Sequence, residues 1–332
     1  MTLKLNSLFT DGLVLQANRP IRIFGEGAGT IVVTLGSTTA DRSFTEEAWV
    51  LELPAMPYGG PYEMHIMLNG EKTVLRDVYI GDVYLIAGQS NMQLKFREME
   101  RPAEEYIGAP LLRLYTNPRL EEEPFSPEDG WVTATPETVG NFSAIGYLAG
   151  WELQETTGHA VGLITLYQGA AAIQCFIPAT VFDRHPELVI PAADRFDMAY
   201  PWNEKNGILF DLNVLAIAPF SVGGVIWYQG ESNCSDAESA VYADLLREMI
   251  AAWRETMQDK QLPFAIVQIH DYQYRDYPAW HRIQEAQAAV AAADERAALI
   301  VTKDVCEHDQ IHPLKKQEVA HRVVKVLLKW QE

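Results

Sequence analysis

The chain has 332 residues, with 26 Lys and Arg against 45 Asp and Glu, a formal net charge of −19. A surface that acidic repels phosphate backbones and anionic headgroups, so neither nucleic acid nor a membrane surface is an expected partner. With 48% apolar and 21% charged residues the composition suits a globular protein with a full core, and no apolar run approaches the ~20 residues that span a bilayer.

In chain order, residues 1–78 read as β structure. The opening Met1-Thr2-Leu3-Lys4-Leu5 lacks a leader's order of basic end, long apolar stretch and small-residue cleavage site. The expectation is a cytoplasmic protein, or a secreted one if a leader has been removed. Short alternating segments, Ile31–Leu35 and Tyr62–Leu68, are punctuated by Gly25, Gly27, Gly29, Gly36, Gly59, Gly60 and Gly70. Strands at that spacing with glycine turns predict a small N-terminal β-sandwich domain.

From residue 79 to 332 the rhythm changes. Nearly continuous apolar runs occur at Val83–Ala87, Leu111–Tyr115, Val161–Leu166, Val225–Tyr228, Phe264–Ile269 and Ala298–Val301. Strands buried on both faces belong to a parallel sheet covered by helices. Helices are predicted over Asn141–Thr157, stopped by Gly158, and over Asp236–Met257 and Pro278–Ala293. A last helix starts at Pro313, with Val319, Ala320, Val323, Val324, Leu327 and Leu328 as its apolar stripe. The prediction is an α/β domain with a wound parallel sheet. Two long stretches resist the pattern, 93–140 with its acidic Glu121-Glu122-Glu123 and the proline-rich 176–207. Segments of that length are functional or covering loops. Cys175, Cys234 and Cys306 are odd in number and form no Cys-x-x-Cys pair, which argues against a disulfide framework or a thiolate zinc site.

Ligands of an open parallel sheet bind beyond the carboxyl ends of its strands. The residues after each apolar run therefore map a site: Gly88-Gln89-Ser90-Asn91-Met92, then Gln168-Gly169-Ala170, then Gln229-Gly230-Glu231-Ser232-Asn233, then His270-Asp271, and finally Asp304 and Asp309-Gln310-Ile311-His312-Pro313. A serine, a histidine with a nearby acid, and candidate donors for an oxyanion are what nucleophilic attack on a carbonyl needs.

At these residues the chain resembles the SGNH hydrolases, and within them the sialate O-acetylesterase branch, with acetylxylan esterases as relatives. Gly88–Met92 is similar to the nucleophile block. Val225–Asn233 is similar to the branch's long internal block, and Ile311-His312-Pro313 with Lys316 and Arg322 to its histidine block. The resemblance implies an SGNH-type three-layer α/β/α domain and a serine carbohydrate esterase that releases acetate from sugar hydroxyls. The substrates it implies are acetylated sialic acid or plant-type oligosaccharides such as xylan fragments, and it implies no metal and no cofactor. It assigns Ser90 as nucleophile, His312 as general base and Asp309 as its orienting acid. The Ser90 and Gly169 backbone N–H groups and the Gln229 side chain are its oxyanion donors. Two stretches depart from the family pattern, Gln168-Gly169-Ala170-Ala171 and Leu209-Phe210-Asp211-Leu212-Asn213.

Other readings stand beside these. Gln89, Asn91, Glu231 and Trp202 are candidate substrate-binding residues. Gln229 and Glu231 also read as buried polar groups satisfied by loop backbone, for Glu231 as readily as a functional role, Asn91 reads as a turn-former, and Trp202 as loop packing. Glu231 paired with another strand-end carboxylate would suit a glycosidase, and loss of catalysis would leave a sugar-binding protein. Asp304, eight residues before His312, competes with Asp309 as the acid. A carboxylate beside the imidazole raises its pKa, so the expected inflection lies near pH ~6.5–7. The sequence leaves oligomeric state open.

Overall fold

The computed structural model describes residues 4–46, 48–100, 108–120 and 130–331; the Glu121–Glu123 run lies outside them. The N-terminal strands are β1 (Lys4–Leu5), β2 (Val14–Gln16), β3 (Ile21–Glu26), β4 (Gly29–Leu35), β5 (Thr38–Phe44), β6 (Ala48–Leu53) and β7 (Gly59–Leu68), followed by β8 (Glu71–Gly88). Strand β3 pairs antiparallel with β1 and β6, while β4 pairs antiparallel with β5 and β7. The alternation read from the sequence becomes alternating burial: Ile31, Val33 and Leu35 point inward from β4, and Trp49, Leu51 and Leu53 from β6.

Strand β8 is 18 residues long and joins the two regions of sheet. Its first part pairs antiparallel with β7, from Leu68 opposite Glu71 to Gly59 opposite Ile80, and β2 lies parallel beside Tyr79–Gly81. Its last part, Asp82–Gly88, is the centre of a large, mostly parallel sheet.

The rest of the chain alternates strand and helix: α1 (Ser90–Gln93), β9 (Ala109–Thr116), β10 (Trp131–Ala134), α2 (Pro136–Val139), α3 (Ala144–Thr157), β11 (Val161–Tyr167), α4 (Ala179–Arg184), α5 (Leu215–Ile217), β12 (Gly224–Tyr228), α6 (Asp236–Thr256), β13 (Phe264–Val267), α7 (Pro278–Ala293), β14 (Ala297–Ile300) and α8 (Gln317–Gln331). All six apolar runs fall in one sheet of order β10-β9-β11-β8-β12-β13-β14, parallel except for β10 against β9. Every residue of β11, β12 and β13 is buried, so both faces are covered, as continuous apolar runs require. The fold is mixed α/β.

Helix ends follow local chemistry. Ser143 caps α3 by accepting from the Gly146 N–H, and Gly158 ends it in the left-handed region at φ 69°. Ser235 caps α6 in the same way through Glu238. The last helix differs from the sequence expectation: it starts at Gln317, not at Pro313. The first bond of the helix runs from the Ala320 N–H to the Lys316 carbonyl at 3.0 Å. Upstream of it side chains take the backbone groups: the Ile311 carbonyl accepts from Asn91 Nδ2 at 2.9 Å, and the Lys315 N–H donates to Glu307 at 3.4 Å. The segment before α8 is thus kept irregular by side chains.

Gly88 closes the central strand. Its φ is +132°, and a Cβ there would sit 2.1 Å from the Tyr228 carbonyl oxygen. Both the conformation and the clash exclude a side chain. Gly88→Ala is expected to lower stability by more than ~3 kcal/mol, measured as the shift in a urea denaturation midpoint; a midpoint within ~0.5 kcal/mol of wild type would show that β8 ends differently.

Candidate active site

The chain enters the sheet at β8, builds β9–β11 on one side, and crosses to build β12–β14 on the other. The reversal opens a crevice beyond the carboxyl end of β8. Gly88 lies opposite Tyr167 in β11 and opposite Tyr228 in β12. The residues that follow these three, Gln89-Ser90, Gln168-Gly169 and Gln229-Gly230, are therefore gathered at one point of the sheet edge. The segment after β14 brings in His312.

Ser90 Oγ lies 2.8 Å from His312 Nε2, and both side chains are half-buried. With the imidazole neutral and its proton on Nδ1, the hydroxyl donates to Nε2, which is the geometry for proton removal during attack. Burial and the Lys316 ammonium push the His312 pKa below its ordinary value of 6.5, and Glu98 opposes them. The direction is opposite to the sequence expectation, because among the described residues no carboxylate bonds the ring while a buried cation lies nearby. Asp309 is exposed, and among the described residues it makes no hydrogen bond or ion pair. Asp304 is committed elsewhere: its carboxylate takes a two-pronged bond from Arg322, 2.7 Å on each prong, which holds its pKa down to about 2.

The backbone N–H groups of Ser90 and Gly169 have no acceptor among the described residues and lie on adjacent strand ends. They are available to an oxyanion. Gln229 is placed differently from the expectation. It is fully buried, and Nε2 donates to the Ala171 carbonyl at 3.1 Å and to Asn233 Oδ1 at 2.7 Å, while Oε1 accepts from the Tyr242 hydroxyl at 2.8 Å. Both amide hydrogens are used inside the protein, so none is left for substrate. Its work is to hold the Gly169 loop, together with Asn203, which accepts from the Ala172 N–H and donates to the Ala170 carbonyl, and Asn233, which accepts from the Ile173 N–H.

The candidate substrate-binding residues are all buried: Gln89 is 2% exposed, Asn91 1%, Glu231 3% and Trp202 7%. Gln89 Oε1 accepts from the Gly230 and Ser232 N–H groups and stitches β8 to the loop after β12. Trp202 packs against Tyr200. Glu231 accepts from Asn91 at 2.7 Å, and burial raises its pKa, so it cannot flank a sugar bond as a glycosidase carboxylate must. Among the described residues no group of His, Cys, Asp and Glu is arranged to hold a metal. His308, four residues before His312, bonds the Lys303 carbonyl. The three cysteines are buried and unpaired.

Two residues were given no role by the sequence. His270, three residues after β13, is buried, and its Nε2–H donates to the Gln310 carbonyl at 2.8 Å; burial drops its pKa to about 4 and keeps it neutral. Lys316, noted only as part of the histidine block, is fully buried, and Nζ donates to Asn91 Oδ1 at 2.8 Å. Strand-end position was the signal available for His270. Nothing in composition marks a buried lysine.

Fold and site define a serine-type ester hydrolase on an open α/β sheet. Residues 80–325 match the family described as carbohydrate esterase, sialic acid-specific acetylesterase, and the chain belongs to that family. The sialate O-acetylesterase of Rattus norvegicus is 26% identical, with 90% of this chain and 68% of that protein covered; the Homo sapiens protein of the same name is also 26% identical, with 96% and 69% covered. A carbohydrate acetylesterase from Xanthomonas citri superimposes with a TM-score of 0.83 at 28% identity, over 97% of this chain and 74% of that one. The activity is that of a carbohydrate O-acetylesterase, a carboxylic-ester hydrolase acting on acetylated sugars.

Two outcomes follow from the geometry. A base must be neutral to act, so activity should be present above the His312 pKa and lost below it; with that pKa lowered, the acid limb of a kcat/KM profile should have its inflection under pH 6.5. An inflection at or above 7 would contradict this site. Gln229→Ala removes the donor to the Ala171 carbonyl, while Asn233 Oδ1 keeps the Ile173 N–H and the Tyr242 hydroxyl keeps the Gln229 backbone carbonyl, so the cost is that of one buried group left unpaired, ~1–3 kcal/mol. Thermal midpoint and activity should therefore fall together. A loss of ~10²–10³ in kcat at unchanged midpoint and KM would instead make Gln229 a direct oxyanion donor.

Proposed function

We propose that Ser90, His312 and Asp309 carry out the deacetylation, and that the substrate is an acetylated sialic acid or a plant-type oligosaccharide such as a xylan fragment. The 2.8 Å approach of Ser90 Oγ to His312 Nε2 carries the reading. Ser90 Oγ attacks the acetyl carbonyl as His312 takes its proton, and the carbonyl oxygen becomes an oxyanion facing the Ser90 and Gly169 N–H groups. Collapse expels the sugar oxygen, which receives the proton from His312. Water, deprotonated by the same imidazole, then releases acetate from Ser90. Asp309 is the acid of choice because it shares the His312 loop and its carboxylate makes no bond among the described residues, whereas Asp304 is bound by Arg322; the reading requires the Asp309 carboxylate to close on the imidazole Nδ1–H once substrate binds.

The same reading divides the chain into a β-sandwich domain at 1–78 and a three-layer α/β/α hydrolase domain at 79–332. Support comes from the separate antiparallel pairings of β3 and β4, and from two helix pairs, α3 with α8 and α6 with α7, around a sheet buried on both faces.

Acetate release across a panel of acetylated sialic acids, xylo-oligosaccharides and manno-oligosaccharides tests the substrate; turnover of none of them at a rate above an acetylated simple alcohol would defeat the assignment. Ser90→Ala should lower kcat by up to ~10⁶ in a folded protein. Asp309→Asn should cost up to ~10⁴ in kcat, while Asp304→Asn should lower the thermal midpoint and spare turnover. The reverse pattern would transfer the role to Asp304.

A further inference from the structure

We infer that Asn91 is a positioning residue that fixes the reach of His312 to Ser90, its amide held in one orientation by the buried side chains of Lys316 and Glu231. The inference rests on Ser90 and His312 being the nucleophile and base.

Asn91 follows the nucleophile in sequence and is buried, and three contacts use its amide. Oδ1 accepts from Lys316 Nζ at 2.8 Å; Nδ2 donates to Glu231 Oε1 at 2.7 Å and to the Ile311 carbonyl at 2.9 Å. An amide flipped by half a turn would point its N–H groups at the ammonium and its oxygen at the carboxylate, so the charges at its two ends forbid the flip. In the permitted orientation the second N–H reaches the residue immediately before His312. Ser90 and His312, 222 positions apart, are thus tied through one side chain adjacent to each. A second tether, His270 Nε2–H to the Gln310 carbonyl, fixes the preceding residue of the same loop.

Stability alone does not account for the two charges. Burying an ammonium and a carboxylate is costly unless they pair closely. Among the described residues Lys316 makes no ion pair within 4 Å; beside Asn91 it meets the face of the Tyr228 ring, 5.3 Å away. Among the same residues Glu231 Oε2 has no hydrogen-bond partner. The charges are separated by the Asn91 amide they orient. Methionine would fill the Lys316 site with less desolvation, but would not hold the amide.

Lys316 also acts on the imidazole. The groups bearing on His312 are the Lys316 ammonium, which lowers its pKa, and Glu98, which raises it. Those bearing on Lys316 are Glu231, Glu307 and Cys306, with burial bringing its pKa to about 8. Removing the cation raises the His312 pKa, and any charge left on Glu231 pushes it the same way.

The test uses p-nitrophenyl acetate turnover, which needs no knowledge of the sugar, and the rate at which a fluorophosphonate labels the protein, with the adduct mapped by mass spectrometry. In Asn91→Leu, folded by circular dichroism, kcat and labelling should fall ~10²-fold at nearly constant KM, the scale of a ~1 Å misplacement of catalytic groups. The charges are intact in this variant, so its acid inflection should stay in place. Lys316→Met should lower kcat and move the acid inflection to higher pH. Glu231→Gln, which keeps an acceptor for Asn91 Nδ2, should retain activity within about tenfold, and it carries the test if Asn91→Leu does not fold. Wild-type labelling of Ser90 in folded Asn91→Leu, an unmoved inflection in Lys316→Met, or a Glu231→Gln loss as deep as that of Asn91→Leu would overturn the inference while leaving Ser90 as nucleophile. An adduct mapped to a residue other than Ser90 would overturn the active-site reading and this inference with it.

Discussion

The site depends on one backbone constraint, the shared register of β8 with its two parallel neighbours at Gly88. The Gln89 N–H donates to the Tyr228 carbonyl at 2.9 Å, and the Gln168 N–H donates to the Gly88 carbonyl at 3.0 Å. These bonds carry the sheet ladder one step past the last strand residue on each side. The next residues, Ser90 on one strand end and Gly169 on its neighbour, then have amides with no acceptor among the described residues. An oxyanion site made from the end of a sheet is already organised before substrate arrives, so little reorganisation is needed at the moment of reaction. It is also intolerant of change, because the register that places the two amides admits no side chain at Gly88.

Behind that edge the protein relies on carboxamides. Gln89, Asn91, Asn203, Gln229, Asn233 and Gln287 are all buried, and each bonds a loop other than its own. Gln287, for example, donates to the Gln229 carbonyl and accepts from the Ile269 N–H. A carboxamide offers donor and acceptor at the end of one short side chain, so it can satisfy opposite backbone groups on two loops without burying a charge. Loops that carry chemistry are ordinarily mobile; here they are pinned by amides from neighbouring strand ends, from loops and from α7. Two buried charges, Lys316 and Glu231, stand on either side of one of these amides, and a third, Glu238, accepts from the amides of Gln174 and Asn233.

The charge distribution separates outside from inside. The chain carries a net −19, while the charge felt most by the His312 imidazole, after the effect of burial, is the ammonium of Lys316. A surface anion is screened within about a Debye length, whereas a buried cation is not, so one lysine outweighs the acidic exterior at His312. The neutral imidazole that a base requires follows from burial and that cation together.

By itself the sequence determined what can be read from period and from residue type at a strand end. Continuous apolar runs became parallel strands because a strand covered on both faces has no polar side. The helices over Pro278–Ala293 and Asp236–Thr256 were legible because caps and amphipathic faces are local. Ser90 and His312 were legible because their types and flanking residues suit only a few chemistries, and strand ends of a parallel sheet are where ligands bind. Only the tertiary structure decided what Gln229, Glu231 and Asn91 do. A carboxamide or carboxylate written in a row of letters offers the same groups to substrate, to a loop carbonyl or to a buried lysine, and the choice depends on which long-range partner lies within 3 Å. The start of α8 was decided in the same way: Pro313 and the apolar stripe favour an earlier turn, but the segment before the helix is held by Glu307 on the Lys315 N–H and by Asn91, from a distant part of the chain, on the Ile311 carbonyl.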